Sequence, residues 1–222
     1  MKYRGDLNTE KQNKKSLEID NMEISEILRT INNEDASIAN AVRTGLPEIE
    51  ETINYTVSSV KNGGRIFYVG AGTSGRLGVL DASEIPPTFS APNNIFIGII
   101  SGGDKALRKS VEGAEDSEDD GLKDIEHFNL DEKDTVIGIS CSGAASYVIS
   151  ALDHANGKGA KTVYLVTNPS PHLITKVNTL ICVDTGPEII TGSTRMKAGT
   201  ATKMILNMIS TTTMIKLGKV YG

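Results

Sequence analysis

The sequence predicts an α/β fold: a doubly wound, five-stranded parallel sheet in an α/β/α sandwich, with a helical extension at its N-terminus. Three observations predict it. From Arg65 onward, short runs rich in β-branched residues alternate with stretches of helical periodicity. Those runs are apolar at odd and even positions alike, so both faces of the sheet are to be covered, as parallel sheets are. The first sixty residues carry helical periodicity without any such alternation.

Taken in order, residues 1 to about 20 are polar and lysine-rich, and read as a mobile or partner-wrapped arm. Asp20 stands three before Glu23 as a capping box, and Ile24, Ile27, Leu28 and Ile31 follow at helical spacing. Asp35 is placed to cap a second short helix carrying Ile38 and Val42. A third helix starts near Pro47, runs through Ile49, Ile53, Val57 and Val60, and is closed by Gly63-Gly64. Strands are then expected at 65–70, 95–100, 135–140, 162–167 and 179–183, with helices near 74–84, 104–114, 118–127 and 144–156. A final apolar helix spans roughly 196–216 and carries Met204, Ile205, Met208, Ile209, Met214 and Ile215. That is more apolar surface than one sheet edge covers, so a homodimer is expected.

The totals exclude several functions. Of 222 residues, 23 are basic and 28 acidic, a net charge of −5 with no basic stripe, so nucleic acid is not an expected partner. No run of eighteen apolar residues and no secretory h-region occurs, which points away from a membrane and towards a cytoplasmic protein. Cys141 and Cys182 fit neither a disulfide framework nor a CxxC site, and His127, His154 and His172 are too scattered for zinc. The three histidines read as surface residues. Cys141 reads as a small buried filler, because nothing near it in sequence supplies a base.

A doubly wound sheet binds its ligand beyond the carboxyl ends of the strands, where the strand order reverses. With the order 2-1-3-4-5, two loops face each other there: Gly70 to Arg76 ("GAGTSGR") and Ser140-Cys141-Ser142-Gly143. Both are rich in hydroxyls and lead into helices, which is how a phosphate site is built. The first loop matches the G-x-G-x-x-G spacing of a dinucleotide turn. Yet the acid needed about 20 residues on, for a ribose, is missing. Asp104 comes too late and is better placed as a helix N-cap. The two loops suit one compact phosphate, with Gly72, Thr73, Ser74, Gly75, Arg76, Ser140, Ser142 and Gly143 as binding residues.

Three long stretches carry a family resemblance: "GAGTSGRLGVLDASEIPPTF" (70–89), "VEGAED" (111–116) and the run from Thr191 to Gly222 beginning "TGSTRMKAGTATKM". Together with "NTEKQNKKSLEID" near the start, they make the chain similar to the N-acetylmuramic acid 6-phosphate etherases. That family belongs to the sugar-isomerase (SIS) superfamily and is related to the glucokinase regulatory protein. The resemblance implies a cytoplasmic, dimeric lyase of cell-wall recycling, with a phosphorylated amino sugar as substrate and no cofactor. It divides the chain into N-terminal arm and helices (1–60) and an SIS domain (61–222), without the family's C-terminal helical part. Where the family usually has Ser-Gly-Arg-Thr-Pro-Tyr, this chain has Ser142-Gly143-Ala144-Ala145-Ser146-Tyr147, so a cation is lost at 144 and a hydroxyl at 145.

Cleaving a lactyl ether at C3 of an open-chain sugar requires a base for the C2 proton, which the C1 aldehyde acidifies, and an acid for the departing oxygen. It requires neither metal nor redox cofactor. Two carboxyls suffice when their surroundings separate their affinities for the proton. Read alone, Glu84 is a solvated acid at a helix end before Pro86-Pro87, and Glu112, Glu115 and Asp116 are a solvated charge run in which 112 and 115 share a helix face. The resemblance makes Glu84 the proton donor and Glu115 the second catalytic carboxyl, taken as the C2 base. Arg195 and Lys197 are candidates for the pocket mouth. A sugar-phosphate-binding regulatory module and an aldose–ketose isomerase are the alternatives.

Overall fold

The computed structural model describes Gly5 and residues 7–220. Strands β1 (Ile66–Gly70), β2 (Phe96–Ile100), β3 (Thr135–Ile139), β4 (Lys161–Val166) and β5 (Thr179–Cys182) pair in parallel in the order β2-β1-β3-β4-β5. All five expected strands are present within a residue or so at each end. The order reverses between β1 and β3, where Gly70 pairs with both Ile100 and Ile139, so the loops after β1 and β3 diverge side by side.

Alternate strand residues feed two cores. Ile66, Tyr68, Ile137, Val163 and Ile181 pack under α2 (Ile38–Arg43), α3 (Leu46–Lys61), α4 (Gly72–Phe89) and α8 (Lys197–Lys216). Phe67, Val69, Val136, Tyr164 and Val166 pack under α6 (Glu118–Glu126) and α7 (Ser146–Gly157). Ile38, Val42 and Ile49 belong to the same core as the sheet, so α2 and α3 fold as part of the domain. Short α5 (Gly103–Arg108) follows β2.

Several local expectations give way. Helix α1 (Ile24–Asp35) is capped by Glu23, boxed with Glu26, not by Asp20, which lies in a preceding 3-10 turn. Asp35 ends α1 rather than capping α2, whose N-cap is Ser37. Asp104 lies in the first turn of α5 behind the N-cap Gly102. The helix expected over 104–114 stops at Arg108, and Gly113, at φ +73°, opens a 3-10 turn over Ala114–Asp116. Glu112 and Glu115 therefore share no helix face.

The largest departure is α4. It runs through Pro86 and Pro87 to Phe89, where Ser90 closes it in a left-handed conformation. Proline's fixed φ is helical, and what each ring removes is one donor to the carbonyl four residues back. Glu84 is thus an exposed residue five positions inside the helix, and the effect of the C-terminal dipole fades within the last turn.

The N-terminal arm is not loose where it is described. Residues 1–4 and 6 lie outside the described residues. Leu7 is 2% exposed, Thr9 is fully buried, and Ser16 Oγ donates to Ile189 O at 2.7 Å. The arm wraps its own domain along the loop that precedes α8. That helix is also better covered than its composition suggested: Ile205, Ile209 and Met214 are buried beneath α2, α3 and α4, which leaves Ile215 half exposed. Helix α1 exposes more of its apolar side, with Ile24 76% and Leu28 62% exposed.

Candidate active site

The first loop is shaped by close approach. A Cβ at Gly75 would sit 2.5 Å from Gly70 O and 2.6 Å from Ile100 Cγ1, so only glycine lets α4 start directly on the sheet end. The second loop is pinned by Gly143 at φ +70°, where a Cβ would also meet Pro171 at 2.3 Å. Gly143 N donates to Ser140 O at 3.0 Å, tightening the turn into α7.

Between the two loops lies a cleft of about 130 Å³ lined by Gly72, Thr73, Ser74, Ser140, Ser142 and Glu115, among others. Ala71 and Ala145, the N-cap residues of α4 and α7, line it too, and Thr194 closes it from the loop leading into α8. Two helix N-termini, those of α4 and α7, therefore converge on one small hydroxyl-lined space. Each brings N–H groups and the positive end of a dipole, the arrangement that holds an anion. Cys141 is the expected filler: its Sγ lies 3.5 Å from Ser74 Oγ and 3.8 Å from Thr202 Oγ1, tying the loops to α8.

The remaining sequence candidates are scattered differently. Gly75 and Gly143 shape the loops without lining the cleft, and Arg195 is exposed at the approach to α8. Arg76 lies outside this cleft, in a neighbouring cavity of about 210 Å³ that shares Ala71, Gly72 and Glu115 with it. Glu115, half-buried, stands where the two cavities meet. Glu84 lies on the exposed side of α4. At a rise of about 1.5 Å per residue it is roughly 18 Å along the helix from Gly72. Ala144 and Ala145 are buried against the domain, so this loop contributes packing where a cation was lost. Of the histidines only His127 is exposed; His154 and His172 are half-buried. Among the described residues, no three His, Cys, Asp or Glu side chains converge as a metal site needs.

Lys197 does not reach the pocket. It is 3% exposed, and its Nζ pairs with Glu34 Oε2 at 2.7 Å, while Lys15 pairs with the other carboxylate oxygen at 2.7 Å and Asn13 donates at 2.8 Å. Burial alone would raise the Glu34 pKa; the hydrogen bonds from Lys15, Lys197 and Asn13 outweigh it and pull the carboxyl down to about 2. Glu188, fully buried, accepts from the backbone N–H groups of Lys197 and Ala198 at 2.9 Å each. Burial pushes its pKa up even though those two N–H groups pull it down. Together these residues fix the start of α8, and with it the Thr194 wall of the cleft. The sequence did hold a signal for Glu188: an acid shortly before a helix whose first N–H groups need an acceptor. Glu34, 163 residues from Lys197, left none.

Comparison with known proteins bears on the fold and the family. The N-terminal SIS domain of glucokinase regulatory protein matches residues 48–156, and the SIS domain family matches residues 109–211. The chain is 53% identical over 217 residues to N-acetylmuramic acid 6-phosphate etherase 1 of Bacillus licheniformis, covering 98% of this chain and 71% of that relative. It is 52% identical over 205 residues to the N-acetylmuramic acid 6-phosphate etherase of Bacteroides thetaiotaomicron, covering 92% and 74%. Among solved structures, a phosphoheptose isomerase from Neisseria gonorrhoeae superposes with a TM-score of 0.63 at 13% identity, covering 86% of this chain and 98% of that one. One from Francisella tularensis superposes with a TM-score of 0.61 at 18% identity, covering 86% and 100%; both likenesses speak for the fold. The fold is that of an SIS domain, and the chain belongs to the N-acetylmuramic acid 6-phosphate etherase family.

Proposed function

We propose that this chain is a carbon–oxygen lyase that cleaves the D-lactyl ether of N-acetylmuramic acid 6-phosphate, giving N-acetylglucosamine 6-phosphate and D-lactate. One observation carries the proposal: a hydroxyl-lined cleft at two helix N-termini, with Glu115 on its rim, in a chain about half identical to etherases. The 6-phosphate occupies the cleft, held by Thr73, Ser74, Ser140 and Ser142 and by the N–H groups at Gly72. Glu115 then faces the sugar carbons and takes the C2 proton of the open-chain aldehyde. The electron pair left at C2 forms the C2–C3 double bond as the C3–O bond breaks and lactate departs with a proton from an acid. Water adds across the double bond, its hydroxyl at C3 and a proton at C2, restoring the sugar.

The acid is Glu84, and at roughly 18 Å along α4 it does not serve the cleft of its own chain. The enzyme is a homodimer in which the partner subunit's Glu84 reaches the substrate beside Glu115. Supporting this, Glu84 lies on the exposed side of α4 next to Leu80, which is 45% exposed. The apolar face of α1 likewise stands in solvent in the single chain. The direct test is incubation with N-acetylmuramic acid 6-phosphate and an enzymatic assay for D-lactate. Stoichiometric release of lactate and N-acetylglucosamine 6-phosphate is expected; binding without release means a sugar-phosphate sensor, and a ketose product means an isomerase.

A further inference from the structure

The cavity beside the phosphate cleft has no part in the chemistry described so far. It holds about 210 Å³ and shares Glu115 with that cleft. Arg76 lines it, half-buried; among the described residues its guanidinium makes a long hydrogen bond, from Nη2 to Lys109 O at 3.4 Å. Ser101, at the end of β2, lines it too; it is 2% exposed, and its hydroxyl has no hydrogen-bond partner among the described residues. Ser110 Oγ, on the opposite wall, donates to Glu112 Oε1 at 3.1 Å.

We infer that this cavity is a carboxylate subsite, in which Arg76 pairs with the carboxylate of the lactyl group. The inference rests on the etherase proposal and follows from the order of groups on both sides. Along the substrate run the 6-phosphate, the ring carbons with C2 and C3, and the lactyl carboxylate hung from the C3 oxygen. Along the protein run the hydroxyl cleft, Glu115 and Arg76. With phosphate in the cleft and C2 at Glu115, the groups left near the second cavity are C1, the N-acetyl group and the lactyl carboxylate, and of these the carboxylate is the one whose charge matches Arg76. Two carboxylates, Glu112 and Glu115, line the same walls, so an incoming anion is tolerated only where the guanidinium meets it. A planar guanidinium matches a carboxylate through two parallel hydrogen bonds. The subsite selects the lactyl ether over the sugar product, N-acetylglucosamine 6-phosphate, which carries no carboxylate.

The test compares Arg76→Gln with the parent on three ligands: N-acetylmuramic acid 6-phosphate, the same compound with its lactyl carboxylate converted to the amide, and N-acetylglucosamine 6-phosphate. A charge-assisted pair predicts a loss of about 10- to 100-fold in kcat/KM for the acid. The amide and the dissociation constant of N-acetylglucosamine 6-phosphate should stay within about twofold. Arg76→Lys should recover part of the loss on the acid alone. Equal losses on acid and amide overturn the inference, because Arg76 then acts without sensing the charge. An equal weakening of N-acetylglucosamine 6-phosphate also overturns it, by assigning Arg76 to the phosphate. A parent that releases no lactate refutes the etherase proposal instead. The acid-to-amide ratio of binding constants, read by calorimetry in parent and variant, then still decides the role of Arg76.

Discussion

Replacing Lys197 by methionine should destabilise the protein far more than its surface-like sequence context suggests. Lys197 is 3% exposed and paired at 2.7 Å with a carboxylate that is itself buried. Removing one partner of such a pair leaves the other charge desolvated, at a cost of about 3–5 kcal/mol, where an exposed pair costs about 0–1. Lys15 and Asn13 remain on Glu34, which places the expectation at the lower end of that range. For a domain of this size the fall in Tm is roughly 10 °C. Urea unfolding at pH 7 with an unchanged m-value is the assay. The carboxyl also dictates a pH dependence. Its folded pKa, about 2, lies below the ordinary carboxyl value of 4.5, so its contribution is fully present above pH 4.5 and is lost as pH falls towards 2. That contribution is at most about 3 kcal/mol, and Glu34→Gln should flatten the acid limb of the stability curve by that amount. A loss under about 1 kcal/mol in Lys197→Met, or an acid limb unchanged in Glu34→Gln, would refute the reasoning.

Two further outcomes are expected. Ser142→Ala removes one phosphate donor and should weaken N-acetylglucosamine 6-phosphate by about 10- to 100-fold while leaving unphosphorylated N-acetylglucosamine unchanged; equal effects on both sugars by calorimetry would contradict the phosphate assignment. Mixing the inactive variants Glu84→Gln and Glu115→Gln, with exchange of subunits, should restore about a quarter of the parent's lactate release, because a symmetric heterodimer rebuilds one of its two sites. No restoration in demonstrably mixed dimers would place both carboxyls in one chain.

The sheet was legible because its strands are short, β-branched and apolar on both faces, and because two hydroxyl-rich loops could only meet where the order reverses. What local pattern could not show was how far elements run. Pro86-Pro87 reads as a stop, yet the ring geometry fits a helix whose neighbours hold it in place, and α4 continues to Phe89. Gly113 does the opposite, breaking what periodicity joined, and so moves Glu115 from a helix face to the junction of two cavities. Lys197 looked like a pocket cation beside Arg195. Its partner, Glu34, comes from a helix at the other end of the chain, and pairings of that range leave no trace in spacing. Ser101 was equally silent, since an unpaired hydroxyl is visible only once the walls around it are built.

The central claim is that Glu115 acts on the C2 proton of a sugar whose phosphate lies in the hydroxyl cleft. It is tested most directly by turnover of N-acetylmuramic acid 6-phosphate in deuterium oxide, with C2 read by proton NMR and D-lactate assayed in the same sample. The parent should release lactate and give N-acetylglucosamine 6-phosphate deuterated at C2, and Glu115→Gln should do neither while still binding the product. Lactate release with the C2 hydrogen fully retained, or undiminished release and exchange in Glu115→Gln, would contradict it.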